Sequence, residues 1–261
     1  SPQGIEIDEK TIVSSSGALT LSKVPKKLLV IGAGYIGIEM ATVWSRLGAQ
    51  VEVIDALPNI LNGMDGEIIS KFKSILKKQG ITFTLKSSLK QIKKNKSGLM
   101  VTIFDEKNSK ESKLGCDILL IAVGRSPNIE NLGIESLGII KTEAGYIDVN
   151  EKFETNIPGI FAIGDVIEGP MLAHKAEEDG VAAVELMAGI AGHVDYGLIP
   201  GIVYTHPEIA YVGKTEDQLK AEGHSFKKSV FPFLANSRAR ATGHTDGLVK
   251  LLADSETDKL L

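Results

Sequence analysis

A single cysteine, Cys116, stands in the whole sequence, which rules out an intrachain disulfide framework and any metal site built on several thiolates. Long apolar runs are missing too: none approaches the roughly 18 residues that a membrane-spanning helix requires, so a soluble globular protein is expected. The opening residues, Ser1-Pro2-Gln3-Gly4-Ile5-Glu6, lack the charged and apolar stretches of a secretory signal, and no targeting segment is visible. Excess charge of one sign is also absent. A net charge of −4 and a pI near 5.8 make no broad field for nucleic acid, and the lysine-bearing stretch 86–96 reads as a solvated strand-and-turn face. His174, His193, His206, His224 and His244 show no paired ligand spacing, so no metal is expected. Neither repeats nor low-complexity tracts occur.

Cys116 opens the apolar run Cys116 to Val123 and is expected as a small buried side chain. A reactive thiol needs a positive neighbour or a helix N-terminus, and Asp117 is the opposite. No catalytic residue is assigned within the chain.

What is present is alternation between short β-branched runs and amphipathic stretches, in 261 residues of which 43% are hydrophobic, enough for a sizeable core. Strands are expected at 27–31, 50–54 and 81–85, with helices at 35–47 and 65–79 between them, implying a parallel sheet with right-handed crossovers. Segments 89–93 and 99–105 flank Asn95-Lys96-Ser97-Gly98, a hairpin signal, and polar residues 106–112 lead to an apolar strand at 118–123. The fold class is therefore α/β, a Rossmann-like unit with a parallel sheet and an inserted antiparallel meander. Farther on come short strands from Tyr146, a helix over roughly 174–190 and a capping box at Thr215 and Gln218. Strands at 226–233 and 248–253 flank a loop at 235–240.

Gly32, Gly34 and Gly37 match Gly-x-Gly-x-x-Gly between strand and helix. There the first glycine allows a tight turn, the second admits a pyrophosphate and the third permits close helix–strand packing. Asp55 ends the next strand, where an acid accepts hydrogen bonds from a ribose 2′-hydroxyl and repels a 2′-phosphate; no arginine follows it, which favours NAD over NADP. Downstream, Thr155-Asn-Ile-Pro-Gly-Ile-Phe-Ala-Ile-Gly-Asp165 reads as a short strand ending in Gly-Asp, the kind of element that flavin reductases use to hold a ribityl chain.

The fingerprint with Val24-Pro-Lys26, Ala122-Val-Gly-Arg-Ser-Pro-Asn128, Ala162-Ile-Gly-Asp-Val166, the segment Gly169 to Glu178, Tyr204-Thr-His-Pro-Glu208 and Val212-Gly-Lys-Thr-Glu216 together resemble the pyridine nucleotide-disulfide oxidoreductases. The resemblance covers nearly the whole chain and is strongest to the branch that reoxidises lipoyl groups in 2-oxoacid dehydrogenase complexes. It implies an FAD- and NAD-dependent enzyme passing electrons from dihydrolipoamide through a disulfide and FAD to NAD. It also implies a homodimer and a lipoyl-bearing acyltransferase as partner. The compartment would be the cytoplasm in a bacterium or the mitochondrial matrix in a eukaryote.

By position, Gly32, Ala33, Gly34, Tyr35, Ile36, Gly37, Ile38, Glu39, Asp55, Leu89 and Gly124 fall where the family contacts NAD. Leu89 replaces a frequent valine, and Asp55 a more usual glutamate with longer reach. Asp165 matches the acid that binds the flavin ribityl chain, and Met171, Leu172, Ala173 and His174 match the segment beside the isoalloxazine. Two positions admit two readings each: Tyr35 covers the flavin or packs in the core, and Glu39 pairs with a lysine near the flavin or is a solvated helix-face acid.

The implied organisation is a linker with part of a flavin domain at 1–25, an NAD-binding domain at 26–124, a central second flavin-binding segment at 125–192, and the first part of an α+β dimerisation domain at 193–261. The family's reaction also needs an ADP-binding unit for FAD, a Cys-x4-Cys pair and a His-Glu pair. None matches here, so an inactive fragment of a longer polypeptide with an incomplete FAD site is expected. A dithiol-independent flavin NADH oxidase or reductase and a non-catalytic NAD-binding module are the alternatives.

Overall fold

Alternation along 27–31 decides how one half of the molecule is built, because successive side chains of a strand point to opposite faces. Leu28 and Val30 bury on one face, Leu29 and Ile31 on the other, and a strand buried on both faces belongs inside a covered parallel sheet. The structure, a computed structural model, describes residues 4–96 and 98–261. It divides into two compact units, one made of the chain up to Gly124 together with Ile202–Leu261, the other of Arg125–Gly201.

The first unit begins with Ile12–Val13 (β1), Ser15–Leu19 (α1), Lys27–Ile31 (β2), Tyr35–Arg46 (α2), Gln50–Asp55 (β3), Gly66–Lys78 (α3) and Thr82–Leu85 (β4). Three antiparallel strands follow, Ser87–Asn95 (β5), Gly98–Asp105 (β6) and Lys110–Cys116 (β7), and the chain returns through Ile118–Ile121 (β8). Strands β1, β8, β2, β3 and β4 lie in that order in one parallel sheet, with Val30 opposite Val53 and Leu120. On one face of this sheet Ile38, Ala41 and Trp44 of α2 and Ile69, Phe72 and Leu76 of α3 form the core with Leu28, Val30 and Leu120. On the other, Leu99, Val101 and Ile103 of the meander pack on Leu29, Ile31 and Leu119. Both α/β class and inserted meander are as expected. Helix α3 starts where Asp65 accepts the Glu67 and Ile68 amides, and lysines 77 and 78 face its negative end.

Several expectations need correction. Part of the expected polar connection at 106–112 is strand: residues 110–116 form a third meander strand, which Cys116 closes; the polar Lys110 to Lys113 lie on an exposed edge, where apolar alternation is not required. Strand β1, from the segment 1–25 for which no strand was expected, is the edge of the parallel sheet. Of the expected hairpin turn, Ser97 lies outside the described residues.

The second unit contains Ile134–Leu137 (α4), a 3-10 turn at Gly164–Val166 and Ala173–Met187 (α5), around a core of Ile134, Ile147, Phe153, Ala162, Ile167, Ala182 and Ala183. The short strands expected from Tyr146 are isolated bridges, Lys141 with Ile147 and Glu154 with Phe161, and the strand expected to end in Gly164-Asp165 is absent among the described residues. No neighbouring strand supplies a ladder there, and Gly164 takes a left-handed φ of +72°. Helix α5 stops short of Ile190 because Gly189, at φ +76°, donates back to Leu186 and turns the chain out of the helix.

The chain continues through Gly201–Val203 (β9), of which Ile202 and Val203 belong to the first unit, and that unit is completed by Ile209–Tyr211 (β10), Glu216–Ala221 (α6), Phe226–Pro232 (β11), Ser237–Thr242 (α7) and Leu248–Asp254 (β12). Val203 and Ile209 are buried in the same core as α2 and α3. The capping box is present: Gln218 N donates to Thr215 Oγ1 at 3.2 Å and Thr215 N to Gln218 Oε1 at 2.8 Å. Residues 237–240, expected within the loop at 235–240, are part of the helix Ser237–Thr242. Asn236 caps it through Ala239 N at 2.9 Å and Gly243 at φ +75° ends it, two helix signals that the short polar Ser-Arg-Ala-Arg stretch masks. Lys250, on β12, joins Asp65 at the start of α3 to Glu216 at the start of α6.

Candidate functional site

The three fingerprint glycines are glycines for different reasons. Gly32 has φ +106°, and a Cβ there would run into the Ala122 carbonyl. At Gly37, inside α2, a Cβ would strike the carbonyl of Gly32. Gly34 has neither excuse: its φ of −76° and ψ of −173° suit any residue, and nothing lies within 4 Å of a Cβ placed on it. The protein's own packing does not require glycine at 34, whereas a phosphate approaching the backbone would. The first bond of α2 runs from Ile38 N to Gly34 O at 2.9 Å, so the amides of Tyr35, Ile36 and Gly37 precede the helical ladder and are available to an anion at the helix's positive end.

Asp55, at the end of β3, is tied to this turn. Its Oδ2 accepts Ala33 N at 2.6 Å and its Oδ1 accepts Leu57 N at 2.7 Å. A carboxylate offers roughly four acceptor positions, which leaves capacity for a ribose hydroxyl. Gly32, Gly34, Gly37 and Asp55 are therefore brought together at the C-terminal edge of the parallel sheet, where open α/β sheets bind ligands. An adenine dinucleotide fits this donor and acceptor set.

The other dinucleotide candidates divide by exposure. Ala33 and Ile38 have buried side chains and could meet a ligand only through backbone. Ile36 is half-buried, Leu89 on β5 leans on the cluster under the meander, and Gly124, exposed with φ +134°, follows β8. Tyr35 packs partly against the core and shares a 3.1 Å hydrogen bond between its hydroxyl and that of Tyr211; burial pushes its phenol above the usual range. Glu39 is not a free solvated acid, since its Oε1 accepts the Tyr204 amide at 2.8 Å. Cys116 is buried, and that burial pushes its thiol up to about 12, against any role as a nucleophile.

The flavin candidates lie in the second unit. Asp165 is partly exposed and pairs with Arg125, Nη2 to Oδ2 at 2.6 Å, while Arg125 Nη1 donates to the Met171 carbonyl at 3.1 Å. Met171 and Leu172 lead into α5, whose first ladder bond is Ala176 N to Leu172 O at 3.0 Å, so the amides of Ala173, His174 and Lys175 precede it. His174 Nε2 lies 2.8 Å from the Pro200 carbonyl, a structural tie rather than the setting of a base. A carboxylate and a helix N-terminus suit a ribityl chain and an anionic ring edge.

Sequence reasoning passed over the residues that hold this second turn. Lys175 and Asp179, both fully buried, form an ion pair of 2.8 Å, and Tyr196 donates to Asp179 Oδ1 at 2.7 Å. Their spacing of four residues on one helix was the available signal. It was weak, because surface pairs with that spacing are common.

Among known proteins, the family model described as pyridine nucleotide-disulphide oxidoreductase matches residues 3–180, and the model for that family's dimerisation domain matches 199–261. Dihydrolipoyl dehydrogenase 1, mitochondrial, from Arabidopsis thaliana is 55% identical over 258 residues, covering 99% of this chain and 51% of its own length. The mitochondrial dihydrolipoyl dehydrogenase of Rattus norvegicus is 52% identical over 260 residues, with 99% and 51% covered. The chain thus spans about half the length of the curated relatives it matches. Among solved structures, the HOCl-induced flavoprotein disulfide reductase RclA from Escherichia coli superposes with a TM-score of 0.87 at 28% identity, covering 96% of this chain and 57% of the other.

Proposed function

The chain belongs to the pyridine nucleotide-disulphide oxidoreductase family, and from that premise we propose that it is part of an FAD- and NAD-dependent dihydrolipoyl dehydrogenase. The observation that carries the dinucleotide half of this reading is Gly34, a glycine that the protein's own packing does not need. The lipoyl half rests on identity above half to relatives of that name across nearly the whole chain.

In this reading Gly32, Gly34 and Gly37 shape a cradle for the NAD pyrophosphate, the amides of residues 35–37 donate to it, and Asp55 takes the ribose hydroxyl while repelling a 2′-phosphate. Ala33, Ile36, Ile38 and Gly124 contribute backbone or partial walls, and Leu89 covers the adenine. Asp165 binds the flavin ribityl chain, and Met171, Leu172, Ala173 and His174 bring the positive end of α5 beside the flavin ring. Bound flavin would relay electrons between a dithiol and the nicotinamide; the protein's part is to orient both cofactors and exclude water.

With one cysteine, these 261 residues hold no dithiol pair and by themselves do not turn over dihydrolipoamide. Residues 26–124 serve as the NAD-binding domain, 125–192 as a flavin-binding segment and 193–261 as part of a dimer interface, with 1–25 leading in. The whole protein works as a homodimer with a lipoyl-bearing acyltransferase, in the mitochondrial matrix of a eukaryote or the cytoplasm of a bacterium.

Calorimetric titration of the 261-residue chain with NADH and NADPH tests the first half: binding of NADH only is expected, and equal binding of both would overturn the role of Asp55. Dihydrolipoamide-dependent NAD reduction by this chain would overturn its assignment as an inactive part.

A further inference from the structure

Buried ion pairs are poor sources of stability, because desolvating two charges offsets most of their attraction; one that persists inside a small unit invites a question about what it holds. Asp179 Oδ2, besides meeting Lys175 Nζ at 2.8 Å, accepts the Gly164 amide at 3.0 Å. Lys175 Nζ donates to the Gly164 carbonyl at 3.1 Å and reaches the Glu168 carbonyl at 3.5 Å. Both backbone polar groups of one glycine are thus gripped by one ion pair, and Tyr196 fixes the far oxygen of Asp179 at 2.7 Å while its ring lies 5.7 Å from Lys175 Nζ. Three ammonium protons meet three acceptors, so the lysine's donors are fully used. Gly164 is itself confined, by φ +72° and by Ala176, whose Cβ would sit 3.0 Å from a Cβ added at 164.

The residue presented by this clamped turn is Asp165. We propose that the Lys175–Asp179–Tyr196 network is a positioning device that fixes the Gly164 peptide so that the Asp165 carboxylate is held ready for a flavin ribityl hydroxyl. This rests on the flavin reading of Asp165 given above. The network touches no cofactor; it acts through the backbone of one residue, gripping the peptide groups on both sides of the Gly164 Cα, as outer groups orient ligating side chains elsewhere.

The test uses the full natural polypeptide with K175M/D179L, which replaces the pair by apolar side chains of similar volume. Two readouts are followed: amide hydrogen exchange at Gly164–Val166 without flavin, and FAD affinity of the stripped protein by flavin fluorescence. The expected outcome is a folded protein with a lowered Tm, because the Gly164 amide and the Tyr196 hydroxyl lose their acceptor, with exchange at Gly164 faster by about tenfold or more and an FAD Kd raised about tenfold or more, the range typical of lost outer-shell orientation. Native exchange and native Kd in the folded double variant would overturn the proposal. Should the double variant not fold, Y196F decides the matter, because it removes one hydrogen bond and leaves the pair: a rise of about threefold in exchange supports the network, and no change in either readout sinks it. D165A separates the two claims, since an unchanged FAD Kd there would overturn the flavin reading itself, whatever the exchange at Gly164 shows.

Discussion

Both candidate cofactor turns hinge on a glycine with positive φ, Gly32 at +106° and Gly164 at +72°, yet they are held in opposite ways. The dinucleotide turn is held by backbone: Gly32 under the Ala122 carbonyl, Gly37 under Gly32, and a half-exposed Asp55 taking the Ala33 amide. The Gly164 turn is held by buried charge, with Lys175 and Asp179 on its two backbone polar groups. A turn set by sterics tolerates no added atom at its two crowded glycines, Gly32 and Gly37, but loses little when a distant side chain changes. A turn set by buried charge behaves the other way round: it is sensitive to its distant side chains, and it loses most when only one of the two charges is removed.

The sharpest break of this comparison is Lys175→Met alone. It leaves Asp179 buried without its cation and should cost about 3–5 kcal/mol of stability, read as a shift in urea midpoint; a loss close to that of an ordinary surface lysine would refute the burial argument. Next come two glycines three residues apart. Gly37→Ala should cost about 1–3 kcal/mol, because its new methyl meets backbone that must move. Gly34→Ala should leave the urea midpoint unchanged or slightly raised, while NADH binding by calorimetry weakens about tenfold or more. Equal stability losses in the two variants would erase the distinction drawn between them. Asp55→Ala removes an acceptor from the amides of buried Ala33 and exposed Leu57 and should cost about 1.5 kcal/mol together with the preference for NADH over NADPH.

The smallest effect expected is one of pH. Lys220, then Lys250 and Lys228, hold the Glu216 carboxyl down to about 2 from an ordinary 4.5. A carboxyl depressed by folding stabilises fully above its unfolded value and loses that contribution as pH falls through its folded one, so the first unit should weaken between about pH 4.5 and about pH 2. Lys250→Met should flatten part of that decline in acid titrations of the urea midpoint; an unaltered slope would remove Lys250 from the account.

How much of this was legible follows the same division. The parallel sheet, α2, α3, the meander and the capping box could be read because local pattern and tertiary role agree: Leu28 to Ile31 alternate and Ile69, Phe72 and Leu76 share a helical face. Helix α7 was hidden because nothing buries it, so its sequence carries caps but no apolar period. The missing strand before Asp165 shows a different limit. Ile160 to Ile163 has the composition of a strand, but a strand exists only where a neighbour completes its ladder, and Phe161 finds a single bridge. At the candidate site, glycine spacing announced the strand-to-helix turn of Gly32, Gly34 and Gly37, whereas Lys175 and Asp179 resemble any surface pair until burial is known. The hydrogen bond from Tyr204 to Glu39 spans 165 positions and has no local signature at all.

The burial of Val203 and Ile209 beside α2 also sets a schedule for synthesis. The last strand of the parallel sheet ends at Ile121, and the first of these two side chains leaves the ribosome 203 − 121 = 82 residues later. At roughly 5–20 residues per second that is an interval of about 4–16 s in which the sheet's helical face waits with part of its cover unmade, while the whole of Arg125–Gly201 has emerged in between. During that interval the part of the α2 and α3 core that Val203 and Ile209 cover stays open to water.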